Sequence, residues 1–600
     1  MKKTILLTMC FGALIANAGT VIDSQPELEK IFAQGPYDFA GLPDDGGGDL
    51  WFADGWNVPV IAADFNGDGY KDVIVSGNVS FGEVSNASPT NVLYLGDGNG
   101  RFNVYQLPNT GAYYLGTAAY IKLDKAKTVV ATTGSVTNAS WWEPGYNTGL
   151  KSMWKTSLHS LTFDAEGNPK WTLIKELEDG CCGAGQGLNL CDLDNDGNYD
   201  VLISGAIGLP DSADEIMSEY GSSTQVVYWG NGNDEFTRTT HIENGMAPMA
   251  EGNAIVADVN NDGWLDVVSC TAKSGKCYND AGNTDLKGDG SGVFVSINNK
   301  NRTFTAKTVV ESVKNNGLFF TAEGARVTVG DFNNDGAIDI YWLNNDQVTA
   351  NPWIYRGGLM LNDGNGNFSA YDKDLNGNEI TPLGGERATP VVADFNQDGN
   401  LDLWWNSWIP TSDIDDESKR NDLCALVGIL RLGDGRGGFS TSVFKGEKGA
   451  DQQPVMEGYY NRWCSLKCPV YAVADFNNDG VPDIVATSGD AHNGDYKGLS
   501  YVVGTTTYSD NAVKLPSDNS IGDFSGIEDT SLKCNASVIY TCGELAVSGL
   551  EGETVEIYSI SGVKVGEFVA KANYHVQAIN LTSGLYVVVA NGYSQKIIAQ

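Results

Sequence analysis

The sequence predicts an all-β protein: a seven-bladed β-propeller followed by a small Ig-like β-sandwich. Three observations predict it. A nine-residue acidic phrase occurs six times, and every copy runs into a short β-branched stretch. The copies are spaced by about the length of one four-stranded blade. After residue 525 the acidic phrases stop and a different strand-rich texture begins.

The acidic phrase carries oxygen side chains at positions 1, 3, 5 and 9 and Gly at position 6, which is the donor pattern of a hard cation. Calcium takes six to eight oxygens, and Gly supplies the bend that wraps the chain around the ion. Position 7 offers only its backbone carbonyl, which explains its free variation. The six predicted calcium sites are Asp64, Asn66, Asp68, Tyr70 and Asp72; Asp192, Asp194, Asp196, Asn198 and Asp200; and Asp258, Asn260, Asp262, Trp264 and Asp266. The remaining three are Asp331, Asn333, Asp335, Ala337 and Asp339; Asp394, Asn396, Asp398, Asn400 and Asp402; and Asp475, Asn477, Asp479, Val481 and Asp483. Asx-rich turns without a metal are common. Clustered carboxylates about 4 Å apart, however, repel by about 1 kcal/mol per pair in water and several-fold more at a protein surface. A plain turn gives no reason to repeat that cost six times. The flanks separate these loops from an EF-hand, which needs helices on both sides and a closing Glu at position 12. Here stretches such as Val-Ile-Val and Val-Leu-Ile follow, so each loop joins two strands.

The spacing gives the architecture. The phrases begin at residues 64, 192, 258, 331, 394 and 475, and the first interval is about twice the others. A blade lacking its loop is therefore expected near residues 116–180, where 119–124 and 128–134 supply both flanking strands. A second phrase follows most loops, as in the Gly-Asp-Gly-Asn-Gly run at 96–100 and its kin at 230–234, 362–366 and 433–437. Asp-Gly and Asn-Gly between apolar runs mark hairpins. Each unit thus reads strand, acidic loop, strand, long variable loop, strand, Gly-rich hairpin, strand. These units resemble FG-GAP (VCBS-type) repeats, the calcium-loop blades also found in the integrin α-subunit head. The resemblance covers residues 50–520 and implies structural calcium, about six ions per chain, with none assigned to the divergent second blade.

Lys2 and Lys3, the apolar run 5–15 and Ala16-Asn-Ala18 predict a secretory signal over residues 1–18, followed by a lead-in at 19–49. No stretch is long and apolar enough for a transmembrane segment. Residues 525–600 predict a small antiparallel sandwich. The Ile557-Tyr558 strand, the Ser583-Gly584-Leu585-Tyr586 turn and the basic finish at Lys596 resemble the C-terminal sorting domain of type IX (Por) secretion. That resemblance implies a Bacteroidetes-type bacterium, the outer-membrane secretion machinery as a partner, and a protein secreted or held on the cell surface. The formal charge of −38 argues against nucleic acid and anionic membrane as partners. Ten cysteines follow the signal, and the oxidising compartment permits disulfides. The near pairs Cys270/Cys277, Cys464/Cys468 and Cys534/Cys542 are candidates, beside the adjacent Cys181 and Cys182.

Function is expected on the other face. The acidic loops never vary in length, whereas the loops between second and third strands do, and variable loops on a rigid scaffold are where recognition resides. They carry Trp141, Trp142, Tyr146, Tyr220, Trp353, Tyr355 and Trp408 as candidate contacts for a glycan or an extracellular protein. Aromatics packed between blades are the plain alternative, and Trp404 and Trp405 fit that role. No triad, zinc-hydrolase or phosphate-loop phrase is present, and the four histidines stand outside any such pattern. No catalytic residue is assigned. The expected function is a calcium-stabilised binding or adhesion module. The alternative is a lyase or glycosidase whose loop carboxylates need no linear motif.

Overall fold

The computed structural model describes residues 20–22, 32–33, 50–52, 59–81, 88–108, 114–124, 127–135, 154–177, 185–205, 225–247, 252–271, 292–311, 326–346, 354–371, 389–410, 424–445, 470–487, 500–504, 537–541, 544–548, 552, 554–559, 564–571, 574–579, 584–590 and 593–599. Three short strands come first: β1 (Thr20–Ile22), β2 (Phe32–Ala33) and β3 (Leu50–Phe52). The first repeat is then β4 (Val60–Ala63), β5 (Asp72–Phe81), β6 (Ser88–Gly96) and β7 (Phe102–Leu107), hydrogen-bonded in chain order. The second is β8 (Tyr114–Asp124), β9 (Lys127–Ser135), β10 (Trp154–Phe163) and β11 (Pro169–Leu177). Its first two strands join through residues 125–126, where the other repeats carry the acidic phrase. The third contains β12 (Gly185–Cys191), β13 (Asp200–Gly205), β14 (Gln225–Gly230) and β15 (Phe236–Thr240). A single helical turn, α1 (His241–Asn244), leads on to β16 (Ala254–Ala257), β17 (Asp266–Thr271), β18 (Gly292–Asn298) and β19 (Phe304–Glu311). The fifth holds β20 (Arg326–Gly330), β21 (Asp339–Asp346), β22 (Ile354–Asn362) and β23 (Phe368–Tyr371), and the sixth β24 (Val391–Ala393), β25 (Asp402–Pro410), β26 (Cys424–Gly433) and β27 (Phe439–Lys445).

The seventh repeat contributes β28 (Val470–Ala474), β29 (Asp483–Thr487) and β30 (Ser500–Gly504). Its outer strand is β2, which pairs antiparallel with β30, while β1 adds in parallel to the outer edge of β27. The lead-in therefore supplies strands to two sheets near the other end of the chain, a long-range pairing with no local sequence signal.

Packing follows the alternation of each strand. Successive side chains leave opposite faces, so one sheet feeds two cores. Trp404 packs with Val473 and Ile484 of the seventh sheet, and its neighbour Trp405 packs with Tyr341 and Leu359 of the fifth. The expected interior role of both tryptophans is what the structure shows. Similar apolar layers join the first sheet to the second, the second to the third, the third to the fourth and the fourth to the fifth. A further layer brings Ala472, Ala474 and Val485 of the seventh sheet against Val60 and Val73 of the first. The first strands touch in the same order, β4 to β8, β12, β16, β20, β24 and β28, and β28 touches β4 again.

Residues beyond 536 form two antiparallel sheets. The first orders β31 (Ser537–Thr541), β32 (Glu544–Ser548) and β35 (Tyr574–Ala578). The second contains β33 (Thr554–Ser559), β34 (Lys564–Val569), β36 (Gly584–Ala590) and β37 (Tyr593–Ala599) in the order β34-β33-β36-β37. Leu545 and Val547 of the first share a core with Val555, Ile557 and Val588 of the second.

One disulfide candidate is corrected. Cys270 is a free thiol, wholly buried beside Val268 and Val293 in the layer between the fourth and fifth sheets. Its position on β17 turns the side chain into that layer, where burial also pushes the thiol well above its usual range. Cys277, Cys464, Cys468, Cys534, Cys542, Cys181 and Cys182 lie outside the described residues, as does the 1–18 segment.

Candidate metal centres

All six acidic loops share one geometry. In each, the position-1 carboxylate folds back over the loop. Asp64 Oδ1 accepts from the Asp68 amide at 3.1 Å and Oδ2 from the Gly69 amide at 3.0 Å. Asp192, Asp258, Asp331, Asp394 and Asp475 accept from the same two positions at 2.7 to 3.1 Å. The position-3 oxygen accepts from the position-5 amide, and position 5 accepts from position 7, as in Asn66–Asp68 at 3.0 Å and Asp68–Tyr70 at 2.8 Å. Gly at position 6 sits at φ +80° to +93° in every copy, a backbone region costly for an L side chain.

Position 9 has a second duty. Asp200 is fully buried; its Oδ2 accepts from the Leu193 amide at 2.8 Å and its Oδ1 from Gly230, on the third strand, at 2.7 Å. Asp72 does the same with Phe65 and Gly96, Asp266 with Val259 and Asn298, Asp339 with Phe332 and Asn362, and Asp402 with Phe395 and Gly433. Asp483 accepts from Phe476 at 2.9 Å. One carboxylate thereby ties the loop to two strands of its sheet.

The surroundings of these groups disfavour their charged form. Burial first, and then the neighbouring carboxylates, push Asp72 and Asp200 up to about 8, Asp339 to about 7 and Asp266 to about 6. Asp394 is pushed up to about 6 and Asp402 well above the ordinary carboxylate range, again chiefly by burial. Asp192 and Asp475 move in the same direction. Each is a carboxylate held where its charged form lacks solvent, which a bound cation would favour.

The donor set fits calcium. Ligand oxygens of Asp192, Asp194 and Asp200 lie within 4.8 Å of one another. The donors are all oxygens; the position-9 residues are fully buried, positions 1 and 3 are buried or half-buried, and position 5 lies nearest the solvent. Hard oxygen donors without Cys or His suit calcium rather than a transition metal.

The loops also touch one another. The position-4 side chains of Asn195 and Gln397 donate to the Gly263 and Gly480 carbonyls of the next loops at 3.1 and 3.0 Å, and Asn334 donates to Asn400 at 2.8 Å. Asn298 and Asn362, from the following repeat, donate to the Leu193 and Val259 carbonyls at 2.7 and 2.6 Å. In the second repeat, where the phrase is missing, Lys122 Nζ donates to the Asp64 carbonyl. None of these contacts was singled out from sequence. The signal was present as an Asn or Gln at position 4 in five copies and Gly67 in the copy that precedes the loopless repeat.

The expected ligand aromatics fare differently. Trp141, Trp142, Tyr146, Tyr220 and Trp353 lie outside the described residues. Tyr355 and Trp408, expected in loops, stand in strands: Tyr355 pairs with Asn345 on β21–β22 and Trp408 with Leu426 on β25–β26. Strands β22 and β25 run further toward that face than the β-branched patterns alone suggested.

Residues 192–269 match the family model described as an FG-GAP-like repeat; apart from one helical turn, the secondary structure of the described residues is β throughout. No curated protein matches it in sequence. Among solved structures it is similar to an Agrocybe aegerita lectin described as recognising non-reducing terminal N-acetylglucosamine. The two share 16% identity, with a TM-score of 0.37, covering 71% of this chain and 88% of the lectin. It is also similar to a glycoside hydrolase family 43 arabinoxylan arabinofuranohydrolase from Bacillus subtilis, at 12% identity and TM-score 0.28, covering 82% and 98% of the respective chains. A third, Bacillus megaterium levansucrase, has 11% identity and TM-score 0.30, covering 71% and 96%. No helix among the described residues is long and apolar enough to cross a membrane.

Proposed function

We propose that the seven repeats close into a seven-bladed β-propeller whose six acidic loops hold structural calcium, and that the propeller is an exported binding or adhesion module. Closure is supported by the return of β28 to β4 and by the apolar layer between the seventh and first sheets. The observation that carries the calcium reading is the convergence of Asp192, Asp194 and Asp200 oxygens around one point, on a loop geometry that the other five copies repeat. Each ion would tie two strands and relieve the repulsion among its own carboxylates. Extracellular sites of this type work at dissociation constants of about 10⁻⁴ to 10⁻³ M.

Recognition is assigned to the face opposite the acidic loops. The segments joining second to third strands, residues 82–87, 136–153, 206–224, 272–291, 347–353, 411–423 and 488–499, differ in length while the acidic phrase stays constant. Residues 525–600 would form an Ig-like sorting domain that delivers the protein through the type IX machinery of a Bacteroidetes-type cell to its surface or surroundings. The test is a glycan and matrix-protein binding array on the mature chain, with calcium and with chelator. Calcium-dependent binding that Trp141→Ala/Trp142→Ala abolishes at unchanged stability supports this reading. Release of product from a glycan panel would instead make the protein a polysaccharide-active enzyme, and deletion of residues 525–600 without loss of export would refute the sorting role.

A further inference from the structure

We propose that Arg302 and Lys300 are tethered counter-cations that compete with the divalent ion at two of the six loops, those beginning at Asp192 and Asp258, and set these two sites to weaker affinity than the rest. The inference rests on the calcium reading above.

In five repeats the hairpin between third and fourth strands has two left-handed residues; in the third repeat these are Gly232 and Asp234. Three repeats place glycine at both: Gly98 and Gly100, Gly364 and Gly366, Gly435 and Gly437. In the fourth repeat the same positions are Lys300 at φ 64° and Arg302 at φ 65°. An L side chain is disfavoured in that region, so two long cationic side chains there are retained against a local conformational cost.

Both side chains go to acidic loops. Arg302 Nε lies 2.5 Å from Asp194 Oδ2 and Nη2 lies 3.4 Å from Asp196 Oδ2, across the seam between the third and fourth repeats. Its guanidinium rests over Trp229, 5.4 Å from the ring centroid. Lys300 Nζ lies 3.3 Å from Asp262 Oδ2 in its own repeat and 5.8 Å from the centroid of Trp264. Asp194, Asp196 and Asp262 stand at positions 3, 5 and 5 of the phrase, so each cation sits on a predicted calcium ligand.

The loop reached by Arg302 is also the one with an extra carboxylate. Position 3 is Asp194 there and Asn in the other five copies. The second oxygen of Asp194 accepts from the Asp196 amide at 3.2 Å. An ion entering among Asp192, Asp194 and Asp200 must therefore share or displace the guanidinium. The chain places its added negative charge and its added positive charge at the same site.

The test is a calorimetric titration of the chelated full chain with calcium chloride. Wild type is expected to show a weaker class of sites beside the main class. Arg302→Gly and Lys300→Gly install the residue that three other hairpins use at both positions, so the fold is kept, which circular dichroism verifies. Each should tighten one weak site by up to about fivefold, as loss of a half-exposed ion pair implies. Terbium luminescence sensitised by Trp264, and lost in Trp264→Phe, assigns the Lys300→Gly shift to the Asp258 loop. Arg436→Gly, on a hairpin whose left-handed positions are already glycine, should change nothing. Unchanged or weaker calcium binding in both variants, with the fold kept, overturns the competition. Failure of wild type to bind any calcium overturns the metal reading on which it rests.

Discussion

Replacing Asp200 by Asn separates the two duties of position 9. The carboxylate accepts one backbone N–H on each oxygen, from Leu193 at 2.8 Å and Gly230 at 2.7 Å, and is fully buried. Asn keeps the shape but turns one acceptor into an NH₂ donor, leaving one buried N–H facing another donor. An unsatisfied buried group costs about 1–3 kcal/mol. Near pH 7 burial already holds Asp200 protonated in the metal-free protein, since its pKa is pushed up to about 8. The charge relief gained with Asn is then small, and the chelated comparison isolates the lost acceptor. With calcium at about a hundred times its dissociation constant, each site adds about 2.7 kcal/mol that the variant forfeits in part. Asp194→Asn is the contrast, because Asn is the position-3 residue in the other five loops; in chelator it keeps an acceptor for the Asp196 amide and loses the ion pair to Arg302, a cost of about 1 kcal/mol or less. Urea midpoints with and without calcium, with amide exchange at Leu193 and Gly230, read both effects. Equal stability of Asp200→Asn and wild type in chelator would refute the tie to two strands.

Three further outcomes follow from the same geometry. The metal-free fold should lose stability as pH rises from about 4 to about 8: Asp72, Asp200 and Asp339 have folded-state pKa values above their unfolded ones, so the folded state holds more protons and rising pH penalises it. Calcium, which needs the charged form, should therefore widen the gap between loaded and chelated melting points over that range; a constant gap would contradict the burial argument. Gly230→Ala should destabilise by about 1–3 kcal/mol in thermal melts, because a Cβ there would lie 2.1 Å from the Tyr199 carbonyl oxygen. Deleting residues 19–33 removes β1 and β2 and bares the edge of β30; lower stability and self-association by light scattering are expected, and an unchanged monomer would show that β2 does not close the last sheet.

Much of the fold was legible because the acidic phrase is both a chemical and a positional signal. Its fixed length sets the first and second strands, and the doubled interval after Asp64 locates the repeat in which β8 and β9 join directly. Phe65, Leu193, Val259, Phe332, Phe395 and Phe476 at position 2 are all buried, so the phrase also encodes its own anchor. What stayed hidden depends on distant residues. The pairing of Phe32 with Gly504 joins residues far apart in the chain and leaves no local pattern. The free thiol of Cys270 follows from which face of β17 meets the fifth sheet rather than from its nearness to Cys277 in sequence. Lys300 and Arg302 were visible only as a copy of the hairpin phrase without its glycines, and their targets required the seam between repeats. Position 9 looked like one more metal ligand until Gly230 and its counterparts placed it against the third strand.

The central claim, that six repeated loops hold calcium and thereby hold the ring, is tested most directly by equilibrium dialysis of the mature chain joined to a melting curve. About six calcium ions per chain, matching the six acidic loops, and a higher midpoint in calcium than in chelator are predicted. Fewer than one ion bound per chain, or identical midpoints, would contradict it.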